Sequence, residues 1–144
     1  MFARPFLTAG LACALIAGCT SAQTAPTAAT VKFEPIATAC EGRDGWGDPA
    51  PPAHIYGNVY MVGTCGIVSL LITTPQGHFL IDGAIPEAAT EIAQNIRELG
   101  FDPKDVRYLL NTHEHFDHSG GLAGLKRMTG AKMVARAEAK DALE

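Results

Sequence analysis

A short run of metal-binding residue types lies between a predicted strand and a predicted helix. Residues 111–121 read NTHEHFDHSGG, and they hold three of the five histidines of the 144-residue chain. Imidazole nitrogens and carboxylate oxygens are, beside thiolates, the ligands that zinc takes in proteins. A solvated turn of chance composition is the alternative, but three histidines and an aspartate at positions 113–118 favour a metal-binding loop.

The spacing within this loop separates its donors into two pairs. His113 and His115 alternate at the end of a strand, so their side chains project to the same side and can share one metal ion. Asp117 and His118 follow one step further and can reach a second ion. The glycine pair at 120–121 removes side chains where the backbone turns into the next helix. The sequence therefore predicts two metal ions on one loop.

Hydrophobic patterning on both sides of the loop predicts a sheet. The runs are short, apolar and β-branched, and the first three are close enough to pair as antiparallel neighbours. The second run is apolar at nearly every position, which predicts a strand that is covered on both faces. The predicted strands are residues 55–62, 67–73, 79–81, 106–110 and 132–134.

Helices are predicted between these strands. Over residues 86–99 apolar positions recur every three or four residues, with Pro86 suited to the first helical position and Gly100 suited to a left-handed cap. Further helices are predicted at about 120–128 and from Glu138 onward. Strand, helix, strand, helix, strand is the order of an α/β fold with helices on one face of the sheet.

The first 22 residues predict export rather than a folded element. One positive charge at Arg4 precedes small and apolar residues at 6–18, the usual form of a secretory signal. The run is too short for a stable membrane anchor, and a buried N-terminal helix is the alternative. The signal can end in a lipobox, with Cys19 lipidated, or by cleavage before Gln23. Either ending predicts a periplasmic protein, soluble or anchored only by a lipid on Cys19.

The rest of the chain reads as a tether followed by one domain. Residues 23–39 are rich in Ala, Thr and Pro and predict a flexible tether, and residues 40–144 form the domain. No apolar run after residue 22 approaches the roughly 20 residues of a bilayer span. The net charge of −4 at pH 7 argues against the clustered basic face of a nucleic-acid-binding protein.

Export determines how the cysteines are interpreted. Cys13 lies in the predicted signal, which leaves Cys40 and Cys65 as an even pair in an oxidising compartment. A disulfide between them is the expected state and would stabilise the fold by roughly 3 kcal/mol. The alternative is that one of them is a zinc thiolate, although neither has a second Cys or His at ligand spacing.

The HxHxDH pattern with its two glycines resembles the metal loop of the metallo-β-lactamase superfamily, which also includes lactonases, thioester hydrolases and nucleases. A narrower resemblance, to third-subclass (class B) metallo-β-lactamases, is carried by segments outside the loop. These are WGDP with Pro52, IYGNVYMVGT, GHFLIDG and LKRMTGAK, at residues 46–52, 55–64, 77–83 and 125–132. The resemblance covers about residues 40–144.

This resemblance implies the first half of a four-layer αββα sandwich and an exported enzyme that hydrolyses β-lactams, small-molecule substrates, with two zinc ions. His113 and His115 would hold the first zinc, and Asp117 and His118 the second. A metal-bound hydroxide would attack the lactam carbonyl without an acyl-enzyme, with Asp117 also acting in catalysis by orienting that nucleophile. Asp82 would hold the ligand loop from outside the metal shell, and a plain turn aspartate is the alternative.

The sequence departs from the family in its remaining histidines. The family takes the third ligand of each zinc from histidines downstream of the loop, whereas His54 and His78 lie upstream and are expected at the surface or at a strand edge. We therefore expect a truncated chain that by itself binds zinc weakly and hydrolyses no β-lactam. A lactonase or another hydrolase of the same fold, and a non-catalytic exported zinc-binding module, remain the alternatives.

Overall fold

A computed structural model describes residues 35–143 of the chain. The predicted signal peptide, Cys19 and most of the predicted tether lie outside the described residues. Within residues 35–143, no helix has the length and apolar character needed to cross a bilayer. At the end of the predicted tether, Ile36–Ala39 form one helical turn, α1, in which the Cys40 N–H donates to the Ile36 carbonyl at 2.9 Å.

Six strands form one mixed sheet in the order β1-β2-β3-β4-β5-β6. The first four pair as antiparallel neighbours, whereas β4, β5 and β6 run parallel to one another. The strands are Ala53–Tyr56 (β1), Val59–Met61 (β2), Leu70–Ile72 (β3), His78–Ile81 (β4), Val106–Leu110 (β5) and Lys132–Val134 (β6). The predicted α/β class, with its mixed sheet, is confirmed.

Two predicted strands differ from the structure. The run at 55–62 is a hairpin, because the chain reverses at Gly57, whose φ of 57° is left-handed, and at Asn58. The run at 67–73 becomes a strand only at Leu70. Before it, Thr64 closes a tight turn, since its N–H donates to the Ile67 carbonyl at 2.9 Å and its hydroxyl accepts from the Ile67 N–H at 3.0 Å.

The main helix, α2, spans Ala89–Glu98 after a 3₁₀ turn at Pro86–Ala88. It ends as predicted at Gly100, whose φ is 86°. The Gly100 N–H donates to the Arg97 carbonyl at 2.8 Å and the Phe101 N–H donates to the Ile96 carbonyl at 3.1 Å. These two bonds form a Schellman motif, which satisfies carbonyls that the end of a helix leaves free.

The remaining helices are short. The predicted helix at 120–128 corresponds to Leu122–Thr129 (α4). Gly121 lies just before this helix, and its N–H donates to the Ala84 carbonyl at 2.9 Å. A further 3₁₀ turn, Pro103–Asp105, leads into β5. The other elements are α3 (Phe116–Ser119), a 3₁₀ turn at Ala137–Ala139 and α5 (Lys140–Leu143).

The core lies between one face of the sheet and the helices α2 and α4. The central strands supply Leu71, Leu80 and Leu109, and none of these side chains is exposed. The helices supply fully buried apolar residues opposite them, namely Ile92, Ile96 and Leu125. Burial of each such side chain contributes about 1.5–3 kcal/mol, so this layer fixes the ends of β4 and β5, where the predicted metal loop begins.

Asn95 of α2 is a polar residue within this core that sequence patterning did not single out. Its side-chain amide donates to the Ala50 carbonyl at 3.1 Å and to the Val62 carbonyl at 3.0 Å. A buried amide without partners would cost free energy, so these bonds are required rather than incidental. They fasten α2 to the loop before β1 and to the end of β2.

The opposite face of the sheet carries a second apolar layer with incomplete cover. The register places two cross-strand rows there, and the rings of Phe79 and Tyr108 stack at 5.2 Å. Several of these side chains are partly or largely exposed, which is unusual for a continuous apolar sheet face. The rows are Met61, Leu70, Ile81, Leu110 and Val134, and Val59, Ile72, Phe79, Tyr108 and Lys132.

The predicted disulfide between Cys40 and Cys65 is present, with the two Cα atoms 5.4 Å apart. It joins the end of α1 to the turn that precedes β3. Two hydrogen bonds hold the same segments together. The Cys65 N–H donates to the Asp48 carbonyl at 2.9 Å, and the Arg43 guanidinium donates to the Pro49 carbonyl at 2.8 Å. The glycine-rich segment before β1 is therefore fixed against the sheet.

Replacing both Cys40 and Cys65 with serine is expected to lower the free energy of unfolding by about 3 kcal/mol. The disulfide closes a loop with a sequence separation of 25 residues, and its loss restores the conformational freedom of that loop in the unfolded chain. Urea unfolding with and without a reductant measures the effect. Reductant should destabilise the wild-type chain and leave the double variant unchanged; equal stability of wild type and variant would contradict the prediction.

Candidate metal centre

The predicted metal loop lies at the edge of the sheet where the parallel strands β4 and β5 both end. The turn that follows β4 begins at Asp82, and the loop that follows β5 begins at Asn111. A hydrogen bond joins the two segments where they leave the sheet: the Asp82 N–H donates to the Leu110 carbonyl at 2.9 Å. In α/β sheets, binding sites form where the carboxyl ends of adjacent strands bring such loops together.

Asp82 is the buried anchor of this loop. Only 4% of the residue is exposed, and its carboxylate accepts three hydrogen bonds. Oδ1 accepts from the Thr112 backbone N–H at 2.7 Å, and Oδ2 accepts from the Thr112 hydroxyl at 2.8 Å. Oδ2 also lies 2.9 Å from Nδ1 of His118. These contacts favour the hypothesis that Asp82 holds the ligand loop, because a solvent-exposed turn aspartate would lack them.

The backbone makes a tight turn after Asp82, and the close packing of the ligand loop on this turn requires a glycine in the loop. Asp82 and Ala84 both adopt left-handed conformations, with φ of 62° and 52°. Between them, the Gly83 N–H donates to the His118 carbonyl at 2.8 Å. A side chain at Gly121 would overlap the Gly83 carbonyl oxygen. The glycine at 121 thus allows the ligand loop to pack directly on the turn after β4.

The three histidines of the loop lie side by side. The ring centroid of His113 is 4.6 Å from that of His115 and 4.3 Å from that of His118. Asp117 lies next to His118, with Oδ2 3.5 Å from the His118 Nε2. The side chains of both are about one quarter exposed. The four predicted metal ligands therefore form one cluster that solvent can reach.

Two further residues shape the loop. The Ser119 hydroxyl lies 3.0 Å from both the Glu114 and the His115 carbonyl oxygens and donates to them, which closes the first turn of α3. Sequence reasoning did not single out Ser119. Phe116, between the predicted ligands, is 60% exposed.

The two histidines outside the loop lie elsewhere on the sheet. His54 is exposed on the edge strand β1, as predicted, and its Nε2 lies 2.9 Å from the Gly57 carbonyl. His78 was expected at the surface or at a strand edge; it is the first residue of a strand, but only 8% of it is exposed. It begins β4, at the end of that strand remote from Asp82, and its ring packs edge-on against Phe101 at 5.3 Å. Neither histidine belongs to the cluster.

Burial of His78 has an electrostatic consequence. Desolvation lowers the pKa of its imidazole below the ordinary value, and the nearby Arg107 guanidinium adds to the lowering. The Asp105 carboxylate and the backbone hydrogen bonds to Thr74 and Gly77 act in the opposite direction, but burial prevails. The folded chain therefore favours the neutral form of this histidine.

The free energy of unfolding is expected to fall as the pH drops below about 6.5, the ordinary pKa of histidine. There the unfolded chain takes up a proton at His78 that the folded chain resists, and the loss levels off below the lowered folded pKa. His78→Asn, whose amide oxygen can still accept from the Thr74 N–H, should flatten this part of the profile. Urea unfolding at about pH 5.5 and about pH 7.5 measures it.

The exposed His54 provides the control for that experiment. His54→Asn changes the same side chain without altering the packing against Phe101, so its pH profile should match that of the wild type. Equal pH dependence in His78→Asn and in the wild type would contradict the assignment.

The donor set of the loop fits a zinc ion, although it does not complete a site. Nδ1 of His118 is engaged by Asp82, which leaves Nε2 facing the same side as the Asp117 carboxylate. Such an outer hydrogen bond is the usual companion of a metal-binding histidine. Over residues 35–143, however, no three His, Cys, Asp or Glu side chains converge in a ready metal-binding group. A catalytic zinc usually takes three protein ligands, so further donors are needed.

Comparison with known families gives a match over most of the domain. The model of the Metallo-beta-lactamase superfamily matches residues 62–144. This segment contains the strands β3 to β6, the turn at Asp82 and the whole ligand loop. It makes up more than half of the chain.

Solved structures similar to this chain include metallo-β-lactamases, one of them of subclass B3. MIM-1 from Novosphingobium pentaromativorans is 56% identical with a TM-score of 0.67, and the match covers 68% of this chain and 37% of that one. MEM-A1, a subclass B3 enzyme from a soil metagenome library, is 48% identical with a TM-score of 0.66 over 67% of this chain and 37% of its own. This chain therefore corresponds to little more than a third of each structure.

Curated relatives include lactonases. The N-acyl homoserine lactonase AttM of Rhizobium johnstonii is 33% identical over 90 residues, which cover 47% of this chain and 34% of AttM. An N-acyl homoserine lactonase of Bacillus thuringiensis is 27% identical over 74 residues, 35% of this chain and 30% of that protein. The chain thus spans about a third of the length of the curated relatives that it matches.

Proposed function

The chain belongs to the metallo-β-lactamase superfamily, and on that premise we propose that it provides part of the active site of a zinc-dependent β-lactam hydrolase. Its share of the site is the ligand cluster, with His113 and His115 for one zinc ion and Asp117 and His118 for a second. The remaining donors come from polypeptide other than these 144 residues. Taken alone, the chain is expected to bind zinc weakly and to hydrolyse no β-lactam.

The similarity to MIM-1 carries this proposal. Identity of 56% extends over about two thirds of the chain, far above the 33% shared with AttM over about half of it. The family match at residues 62–144 includes the sheet edge that holds Asp82 and the loop, so it bears on the residues proposed to act. A relative that shares only the fold would not be expected to share so much sequence.

The chemistry assigned to these residues follows from their types and positions. Zinc in such a site supplies a Lewis acid and brings the pKa of a water molecule from about 15.7 to near 7. His113, His115 and His118 offer imidazole nitrogens as ligands; His115 is exposed, and His113 and His118 are partly exposed. The Asp117 carboxylate, partly exposed beside His118, can bind an ion and also accept a hydrogen bond that orients the attacking water. Asp82 holds the loop in place through its hydrogen bonds to Thr112 and His118.

A lactonase is the second candidate, because the curated relatives named above are N-acyl homoserine lactonases. Both reactions attack a strained or activated carbonyl in a ring, so the four ligands alone do not separate them. The metallo-β-lactamase structures cover more of the chain at higher identity, which favours the β-lactam reaction. A non-catalytic zinc-binding module is the third candidate.

The experiment uses the longest polypeptide that the gene encodes, purified with zinc, and the 144-residue chain beside it. We expect the gene product to open β-lactam rings, to lose that activity to a chelator and to act poorly on an N-acyl homoserine lactone. Preference for the lactone would support the second candidate. Tight zinc binding without turnover of either substrate would support the third. Chelator-sensitive turnover by the 144-residue chain alone would show that no further donors are needed.

We also propose that the protein is exported to the periplasm, by way of the N-terminal sequence described above. The disulfide between Cys40 and Cys65 supports this, because structural disulfides persist in oxidising compartments. Cys19→Ala separates the two processing routes: it should abolish lipid labelling if the lipobox is used and change nothing if cleavage precedes Gln23.

A further inference from the structure

We infer that Thr112 is a positioning residue that transmits the orienting effect of Asp82 to His113, so that one carboxylate orients a ligand in each of the two donor pairs. The inference rests on the proposed function of the loop. It begins from the branched contact at Oδ2 of Asp82, which lies 2.8 Å from the Thr112 hydroxyl and 2.9 Å from Nδ1 of His118. The same hydroxyl lies 2.9 Å from Nδ1 of His113.

The direction of each hydrogen bond follows from the chemistry of the groups. An ionised carboxylate can only accept, so the Thr112 hydroxyl proton is donated to Asp82. The hydroxyl oxygen then has only lone pairs to offer to His113, and the proton in that contact must belong to Nδ1 of His113. A neutral imidazole carries one proton, so Nε2 of His113 keeps its lone pair.

The same reasoning applies directly to His118. Its Nδ1 must donate to Oδ2 of Asp82, which leaves Nε2 with a free lone pair on the side of the Asp117 carboxylate. Metal binding requires a nitrogen that carries no proton. Asp82 therefore prepares Nε2 of both rings for a metal, one by direct contact and the other through Thr112.

Two features make this arrangement specific. Asp82 is buried and also held by the Thr112 backbone N–H at 2.7 Å, so its carboxylate has little freedom to turn away. His115 provides the contrast: its ring contacts that of His113, but within the described part of the chain neither of its ring nitrogens has a hydrogen-bond partner. Thr112 should thus control one ring of the cluster and leave His115 unaffected.

The test reads the imidazole tautomers by long-range ¹H–¹⁵N NMR on the 144-residue chain without metal, at a pH where the rings are neutral. In the wild type, His113 and His118 should both be protonated at Nδ1. Thr112→Val removes the hydroxyl but keeps the branched shape and the backbone N–H to Asp82. It should release the tautomer of His113 while His118 stays fixed, and Thr112→Ser should restore the wild-type pattern.

Zinc binding gives the second readout. Loss of an outer hydrogen bond lowers metal affinity by about 10–100-fold, so Thr112→Val should weaken zinc binding by that factor, measured with a competing chelator, and Thr112→Ser should not. The inference is overturned if His113 of the wild type is protonated at Nε2, or if Thr112→Val leaves its tautomer unchanged. The first of these outcomes needs no variant, so a Thr112→Val chain that does not fold leaves the test intact.

The tautomer measurement is independent of the proposed reaction, since it uses neither metal nor substrate. A gene product that cleaves no β-lactam would refute the proposed function and leave the Thr112 result standing. Conversely, an active enzyme with an Nε2-protonated His113 would refute only the role of Thr112.

Discussion

Replacing His115 with alanine is expected to lower β-lactam turnover by the full gene product more than about 100-fold. Loss of a hydrogen bond around a metal site already costs about 10–100-fold, and this substitution would remove a proposed ligand itself. His115 is exposed, and its imidazole lies beside the ring of His113. The fold should therefore be preserved, with stability within about 0.5 kcal/mol of the wild type. Initial rates at saturating zinc, with bound zinc counted, measure the effect.

Glu114→Ala is the matched control for this substitution. Glu114 is the exposed neighbour of His115, and it contributes only its backbone carbonyl to the loop, as the acceptor of the Ser119 hydroxyl. Truncation of its side chain should leave turnover within a few-fold of the wild type. Retention of most activity in His115→Ala, or equal losses in both variants, would contradict the assignment of His115 as a ligand.

Asp82→Asn is expected to weaken zinc binding by about 10–100-fold and also to destabilise the fold. The amide has only one acceptor oxygen, whereas the carboxylate accepts from Thr112 twice and from His118 once. Every buried donor left without an acceptor costs about 1–3 kcal/mol. Competition with a chelator measures the affinity, and urea unfolding measures the stability of the metal-free chain.

The control for Asp82→Asn is Glu87→Gln, which removes the same charge at an exposed position of the 3₁₀ turn before α2. It should change neither quantity. An Asp82→Asn variant with wild-type zinc affinity would show that the hydrogen bonds at Oδ2 do not orient the ligand loop. Equal effects of the two substitutions would indicate a general electrostatic effect of net charge instead.

Local patterning was sufficient for elements whose signal lies within a few neighbouring residues. The strand at 106–110 and the strand at 132–134 were predicted with the bounds that the structure shows. The cap at Gly100 was likewise predicted from neighbours in the sequence alone. The hairpin at Gly57 was missed because alternating apolar residues continue across both of its strands.

Contacts between distant segments were beyond the reach of that patterning. The role of Asp82 stayed open between anchor and turn, because its partners Thr112 and His118 follow 30 and 36 residues later. The burial of His78 depends on Phe101, which the sequence does not mark as its neighbour. The candidate ligands could be proposed from the sequence because His113, His115, Asp117 and His118 lie within six residues of one loop.

The most direct test of the metal site is anomalous X-ray diffraction at the zinc absorption edge, on crystals of the full gene product grown with zinc. We expect two zinc peaks at the carboxyl edge of β4 and β5, one bonded to His113 and His115 and the other to Asp117 and His118. Zinc peaks located away from these four side chains, or an ordered loop that binds no zinc, would contradict the account.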